Sequence, residues 1–254
     1  MQKETLETAS AISIDGLVKD FGDVRAVDGL TLSIQEAEVF GLLGPNGSGK
    51  TTTINCMTGI LKPTKGDIRI GGYDVRREGA KARSVVGVSP QETAICPYLT
   101  GSENVRLFGE LYSVPKAVLR ERVDYAMEKV GLMEEAKRRV GKYSGGMKRR
   151  VSIAMATVTD PEIVLLDEPT VGMDPQSRRA VWDFILELRD RGKTIVLTTH
   201  YMEEAEELCD RVGVIDHGKL IALGTPGELR KRFGARDLED VFIQLTGRRI
   251  RDGA

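Results

Sequence analysis

The sequence is poor in the residues that build metal centres and disulfide frameworks. Its three cysteines, Cys56, Cys96 and Cys209, are odd in number, far apart and in no metal-like spacing. Only His200 and His217 could join them, which argues against a zinc site. Scattered single cysteines suit a reducing compartment, so a cytosolic protein is expected. An excess of either charge is missing too: 37 Lys and Arg stand against 38 Asp and Glu, a net charge of −1. That balance argues against bulk nucleic-acid binding, and no nucleic-acid partner is expected. No stretch approaches the ~20 apolar residues of a membrane span. Residues 1–10 are polar and lack the apolar core of a signal peptide, so they read as a loose lead-in. Work at a membrane would need a partner that supplies the membrane part.

What the chain does have is the stretch Gly44-Pro45-Asn46-Gly47-Ser48-Gly49-Lys50-Thr51, followed by Thr52. It fits G-x-x-x-x-G-K-[ST] at every fixed position. The apolar run 39–43 before it has strand character, and 52–60 after it reads as a helix. In that context glycines let backbone N–H groups close around an anion, and the helix start adds unpaired N–H groups and a positive dipole end. Residues 44–52 are therefore expected to hold a nucleoside triphosphate, with Lys50 on its β- and γ-phosphates and the Thr51 hydroxyl reaching Mg²⁺.

The rest of the chain alternates in texture. Residues 12–17 and 30–34 alternate apolar and polar side chains and predict strands of an antiparallel sheet, with Phe21-Gly22 between them. A turn at 63–66, a strand at 67–70, a break at Gly71-Gly72 and a buried strand at 84–88 follow. Thr100-Gly101-Ser102-Glu103 has the spacing of a capping box, and 116–140 continues as helix. From Lys116 to Arg150 there are 11 Lys and Arg against 5 Asp and Glu, a solvated helical face or a docking surface. Strands are expected again at 163–166, 194–198, 212–215 and 219–223, with a helix carrying Ala180, Val181, Phe184, Ile185 and Leu188 between the first two. Thr225-Pro226-Gly227-Glu228 combines a capping box with Pro at N1, and Asp237 can cap a last helix striped by Leu238, Val241, Phe242 and Leu245. Arg248, Arg249 and Arg251 are expected to lie in a frayed tail. The fold class is α/β: a P-loop NTPase core with a mainly parallel sheet, an N-terminal antiparallel β-subdomain and an inserted α-helical subdomain. The core unit is expected to span 11–235 with the insert at about 100–158, and 236–254 to form a short helical tail.

Two further sites carry chemistry. Asp167 and Glu168 end the apolar run 163–166, at the strand end where ligands of open α/β sheets bind. Asp167 is placed to hold Mg²⁺ and Glu168 to polarise a water for attack on the γ-phosphate. Ser144-Gly145-Gly146, at the start of a helical run, is either a plain N-cap or a second anion cradle. Two cradles far apart in one molecule cannot share a γ-phosphate, but two molecules head-to-tail can.

These elements, in this order and together with His200, resemble those of ATP-binding cassette (ABC) ATPases over almost the whole chain. The resemblance implies ATP and Mg²⁺ as cofactors and a role for each matching residue. Phe21 would stack on adenine, and Gln91 would touch Mg²⁺ and the attacking water. Ser144, Gly145 and Gly146 would contact the γ-phosphate held by an opposite copy. Asp174 would lie at the dimer interface, although Asp174-Pro175 also reads as an N-cap with Pro at N1. His200 would contact the γ-phosphate. Tyr143 and Met147 depart from the family's usual Leu-Ser-Gly-Gly-Gln, and this form resembles the drug- and lipid-exporting branch. The implied function is ATP hydrolysis driving export through a separate transmembrane permease, at the cytoplasmic face of the cell membrane. A soluble ABC-type ATPase acting in translation or DNA repair is the alternative. The separation of Lys50 from Lys142 is too short for the long coiled-coil arm of repair members.

Overall fold

The computed structural model describes residues 10–247. In chain order the elements are β1 (Ser10–Phe21), β2 (Val24–Gln35), β3 (Val39–Leu43), α1 (Lys50–Met57), β4 (Lys65–Ile70), β5 (Tyr73–Asp74), α2 (Gly79–Ser84) and β6 (Val86–Ser89). Then come α3 (Gly101–Leu111), α4 (Lys116–Lys129), α5 (Gly145–Thr157), β7 (Ile163–Asp167), α6 (Pro175–Asp190) and β8 (Thr194–Thr199). The last are α7 (Met202–Leu208), β9 (Arg211–Asp216), β10 (Lys219–Gly224), α8 (Pro226–Phe233) and α9 (Leu238–Thr246).

Two sheets result. Strands β2-β1-β4-β5 form an antiparallel sheet, and β10-β9-β3-β8-β7-β6 form a second sheet that is parallel except for β10. The parallel strands are apolar at successive positions because both their faces are covered. Val39 and Leu43 of β3, with Val164 and Leu166 of β7, face a core shared with α3 to α7 and α9. Phe40, Leu42 and Leu165 face the opposite core, built with α1 and the antiparallel sheet. Each such side chain contributes about 1.5–3 kcal/mol by leaving water. The pairing Asp167 with Thr198, and Leu43 with both Thr199 and Val214, brings three strand ends level at one edge. Helices α3, α4 and α5 all lie in the chain between β6 and β7.

Most element starts follow their caps. Thr100 and Thr225 form capping boxes, Asp174 and Asp237 cap α6 and α9, and Pro175 and Pro226 sit in the first turns they open. Leu238, Val241 and Phe242 are buried, and Leu245 packs at the edge of the same core. Three expectations need correction. The strand expected at 84–88 begins at Val86, because Ser84 closes α2, a short helix without an apolar stripe. The helix expected over 116–140 stops at Lys129: Gly131 takes φ 65°, and the chain resumes as a single 3₁₀ turn at Val140–Lys142. The basic excess is not wholly a solvated face. Arg149 and Arg150 donate to backbone carbonyls, Arg122 donates to Thr159 O, and Lys129 pairs with Glu187. Helix α7 was not expected. The loose lead-in falls outside the described residues except for Ser10, and the tail of Arg248, Arg249 and Arg251 lies wholly outside them.

Candidate active site

The glycine loop leaves β3 at Gly44 and enters α1 at Lys50. A Cβ on Gly44 would lie 2.2 Å from the Ile215 carbonyl oxygen, so no side chain fits. Gly49 has φ 105°, and a Cβ there would meet Ala26 O at 2.4 Å. The loop is clasped from outside by Gly218, whose N–H donates to Ser48 O at 2.9 Å and whose carbonyl accepts from Asp28 N at 2.8 Å. Ser48 Oγ is buried and has no hydrogen-bond partner within the protein. Leaving a buried hydroxyl unpaired is costly, and an anion with free acceptor oxygens answers that cost. The loop fits a phosphate chain.

Lys50 is almost fully enclosed, at 4% exposure. Its ammonium donates to Gly44 O at 2.7 Å and Pro45 O at 3.1 Å, and lies 3.7 Å from Glu168 Oε1. Burial pulls it below the ordinary lysine range, while Glu168 and Asp167 pull it back up. Thr51 Oγ1 donates to Asp167 Oδ1 at 3.2 Å, and the Thr198 hydroxyl donates to the same oxygen. A hydroxyl beside a carboxylate is a hard-oxygen donor set of the kind Mg²⁺ takes.

Glu168 is the hub. Gln91 Nε2 donates to its Oε2 at 3.1 Å, and His200 Nδ1 lies 3.2 Å from its Oε1. The hydrogen bond with His200 holds its carboxyl below the usual glutamate range, helped by the Lys50 and Arg149 charges and opposed by burial. Its backbone has φ 53°, a conformation unusual for a non-glycine residue and one that clusters at functional sites.

A cavity of about 420 Å³ runs along this group, lined by Phe21, Asn46, Gly47, Gly49, Lys50, Thr51, Thr52, Gln91 and Glu168. Phe21, at the tip of the hairpin joining β1 and β2, is 46% exposed at its rim, with Lys19 Nζ 4.8 Å from its ring centre. A flat exposed ring beside a phosphate loop can stack on a base. Ser144, Gly145 and Gly146 are not part of that lining. Ser144 caps α5, its Oγ accepting from Met147 N at 3.2 Å. Gly145 and Gly146 line a second cavity of about 260 Å³, whose other walls include Gln91 and Glu168. The two cavities thus meet at Gln91 and Glu168. Asp174 lines neither; its carboxylate accepts from Ser177 N at 2.9 Å as the cap of α6.

Two neighbours of the site were not singled out by the sequence. Thr198 was hidden in an apolar strand, although its place at the carboxyl end of β8 was a usable signal. Arg149, 6% exposed, looks on sequence like one more cation in a basic run. Behind the site, Glu204 is almost fully buried and accepts from Thr170 Oγ1 at 2.7 Å and Trp182 Nε1 at 3.1 Å. It ties the segment after Glu168 to α6 and α7. Burial raises its carboxyl above the usual range. A carboxyl whose folded pKa is raised gives stability that is present below the unfolded value, about 4.3, and lost as pH rises through the folded value. Gln keeps the accepting oxygen without the charge. Glu204→Gln should therefore melt higher than the wild type at pH 8, by a margin that shrinks towards pH 4, as thermal scans across pH would show.

The ABC transporter family profile matches residues 27–171. The chain is 43% identical over 235 residues to the linearmycin resistance ATP-binding protein LnrL of Bacillus subtilis, covering 92% of this chain and 74% of that one. It is 42% identical over 238 residues to the daunorubicin resistance ATP-binding protein DrrA3 of Streptomyces coeruleorubidus, covering 94% and 75%. Among solved structures, a dimeric post-hydrolysis ATP-binding cassette bound to ADP and Pi superposes with a TM-score of 0.78 at 27% identity, covering 84% of this chain and 98% of that one.

Proposed function

This chain belongs to the ABC transporter family and is an ATP-hydrolysing subunit of such a transporter; we propose that two copies close head-to-tail on two ATP molecules to drive export. The observation that carries the hydrolytic part is Glu168, an ionised acid held by Lys50, His200 and Gln91 at the mouth of the phosphate loop. In this reading Phe21 stacks on adenine, while residues 44–52 and Lys50 grip the phosphates. Thr51, Asp167 and Gln91 hold Mg²⁺, which when bound neutralises charge on the phosphate oxygens. Glu168 takes the proton of the attacking water, and His200 and Gln91 orient that water and the γ-phosphate.

The second half of the reading concerns Ser144, Gly145 and Gly146. Gly145 and Gly146 line a cavity beside the loop's own, on the helix that Ser144 caps, which supports N–H groups here serving a γ-phosphate brought by a partner copy, with Asp174 at the same interface. ATP then favours the closed pair because closure adds a second set of donors to each γ-phosphate; a ligand shifts an equilibrium only by such differential contact. The resistance proteins that the chain resembles favour export of a drug- or lipid-like substrate through a separate membrane subunit, and favour transport over translation or repair. Among the described residues no helix is long and apolar enough to cross a membrane. In this reading a separate permease supplies the membrane part, and the subunit docks on its cytoplasmic face.

Ser144→Arg tests the partner cradle. Filling the cradle should lower turnover by about 10²-fold, since an oxyanion-type donor set is lost, while ATP affinity of the isolated chain stays within about twofold. Ser144→Ala, which removes the hydroxyl and its cap at a cost of about 1 kcal/mol but leaves the backbone N–H groups open, is the comparison and should lose less turnover. Steady-state hydrolysis and a fluorescent-nucleotide titration read both quantities. Lost ATP affinity would mean that the cradle works within one chain, and unchanged turnover that it is not used.

A further inference from the structure

We propose that Arg149 is a positioning residue for hydrolysis, holding Glu168 and the Gln91 segment in their working arrangement. The inference rests on Glu168 acting as the hydrolytic base. Arg149 lies one turn inside α5, the helix that Ser144 caps, and its guanidinium points back into the sheet edge. One terminal nitrogen donates to the carbonyl of Pro90 and to that of Gln91, the latter at 2.8 Å. The other donates to the carbonyl of Glu168 at 3.0 Å. The side chain thus spans β6's exit, the Gln91 segment and the residue after β7 with one rigid fork. A planar guanidinium can hold three carbonyls in fixed relation, and a lysine ammonium on a flexible stem holds them far less firmly.

The geometry of Glu168 explains why such a clamp matters. Its N–H is taken by Thr198, through the carbonyl oxygen at 3.1 Å and the hydroxyl at 2.9 Å. Its C=O accepts from Arg149 at 3.0 Å and, at the limit of a hydrogen bond, from Val171 N at 3.5 Å. Both backbone polar groups of this residue, one in each flanking peptide unit, are therefore pinned, which holds it at φ 53°, a region a glutamate does not choose on its own. That backbone sets where the carboxylate goes, between His200, Lys50 and Gln91. Releasing the carbonyl lets Glu168 relax towards ordinary backbone space and swings its carboxylate away from the phosphate. Gln91 loses its anchor in the same step, because its own carbonyl is on the same fork. Arg149 also lines the cavity walled by Gly145 and Gly146, so the clamp stands on the helix that carries the cradle.

The test is Arg149→Lys in the full-length chain, alone and in a Glu168→Gln background. Expected is a fall in kcat of about 30-fold with KM for ATP within about twofold, because misplacing a reacting group costs rate and not nucleotide contacts. In the Glu168→Gln background the same change should cost only about threefold, the share that runs through Gln91, since the share that runs through Glu168 is already lost. Arg149→Gln, whose amide is too short to reach the three carbonyls, should cost at least as much kcat as Arg149→Lys. An unchanged kcat overturns the proposal. So does an equal loss in both backgrounds accompanied by a lower melting temperature and weaker ATP binding, which marks a structural residue; failure of both variants to fold counts the same way. If Glu168→Gln alone retains full turnover, the reading of Glu168 fails instead, and that outcome is distinct from the others.

Discussion

Glu168→Gln should lower ATP turnover by about 10³-fold and leave ATP affinity within about twofold. The size follows from what a positioned general base contributes, about 10²- to 10⁴-fold. Its direction follows from the site. The substitution keeps the shape of the side chain and one accepting oxygen, so the hydrogen bond from Gln91 and the packing against His200 can persist. What goes is the negative charge that takes a proton. The glycine loop is not touched, because its contacts run through Gly44, Ser48, Lys50 and Gly218. Because His200, Lys50 and Arg149 hold the Glu168 carboxyl below its usual range, it is ionised at neutral pH, and lowering the pH removes that charge only below the ordinary glutamate range. Single-turnover phosphate release set beside a nucleotide titration separates the two effects. A variant that turns over at the wild-type rate would remove Glu168 from the role.

Lys50→Ala should act on the other quantity, weakening ATP binding by about 10- to 100-fold, as expected for the loss of a charge-assisted hydrogen bond worth about 1.5–3 kcal/mol. The enclosed ammonium sits among the loop carbonyls of Gly44 and Pro45 and beside Glu168, so it can exchange carbonyl contacts for phosphate oxygens without leaving its pocket. Removing it also strips Glu168 of a positive neighbour, so turnover at saturating ATP should fall as well. Titration with a fluorescent ATP analogue checks the first effect, and hydrolysis at saturating nucleotide checks the second. Affinity equal to that of the wild type would show that the loop backbone alone suffices.

The parts of the molecule that were legible from sequence are those governed by short-range chemistry. The glycine loop, the capping boxes at Thr100 and Thr225 and the Asp-Pro start of α6 each depend on a few adjacent residues, and each lies where that chemistry puts it. The apolar strands 39–43 and 163–166 were legible because burial on both faces leaves an unbroken run. Helices α2 and α7 were not, since each is a turn or two long and is stabilised by packing and not by its own periodicity. The break after Lys129 was hidden because Gly131 sits in a run otherwise rich in helix formers. Sequence order placed Gln91, Glu168 and His200 in one family pattern but could not say that one carboxylate joins them. Arg149 was the least legible. A buried arginine among exposed ones has no local signature, and only its three carbonyl partners reveal what it does.

Dimer closure is the step on which transport would turn, and light scattering of the Glu168→Gln chain with and without saturating Mg-ATP measures it directly. The expected result is the mass of one chain without nucleotide, twice that mass with ATP, and a return to one chain when Ser144→Arg is added. A single-chain mass in every sample, with ATP shown to be bound, would contradict the head-to-tail mechanism.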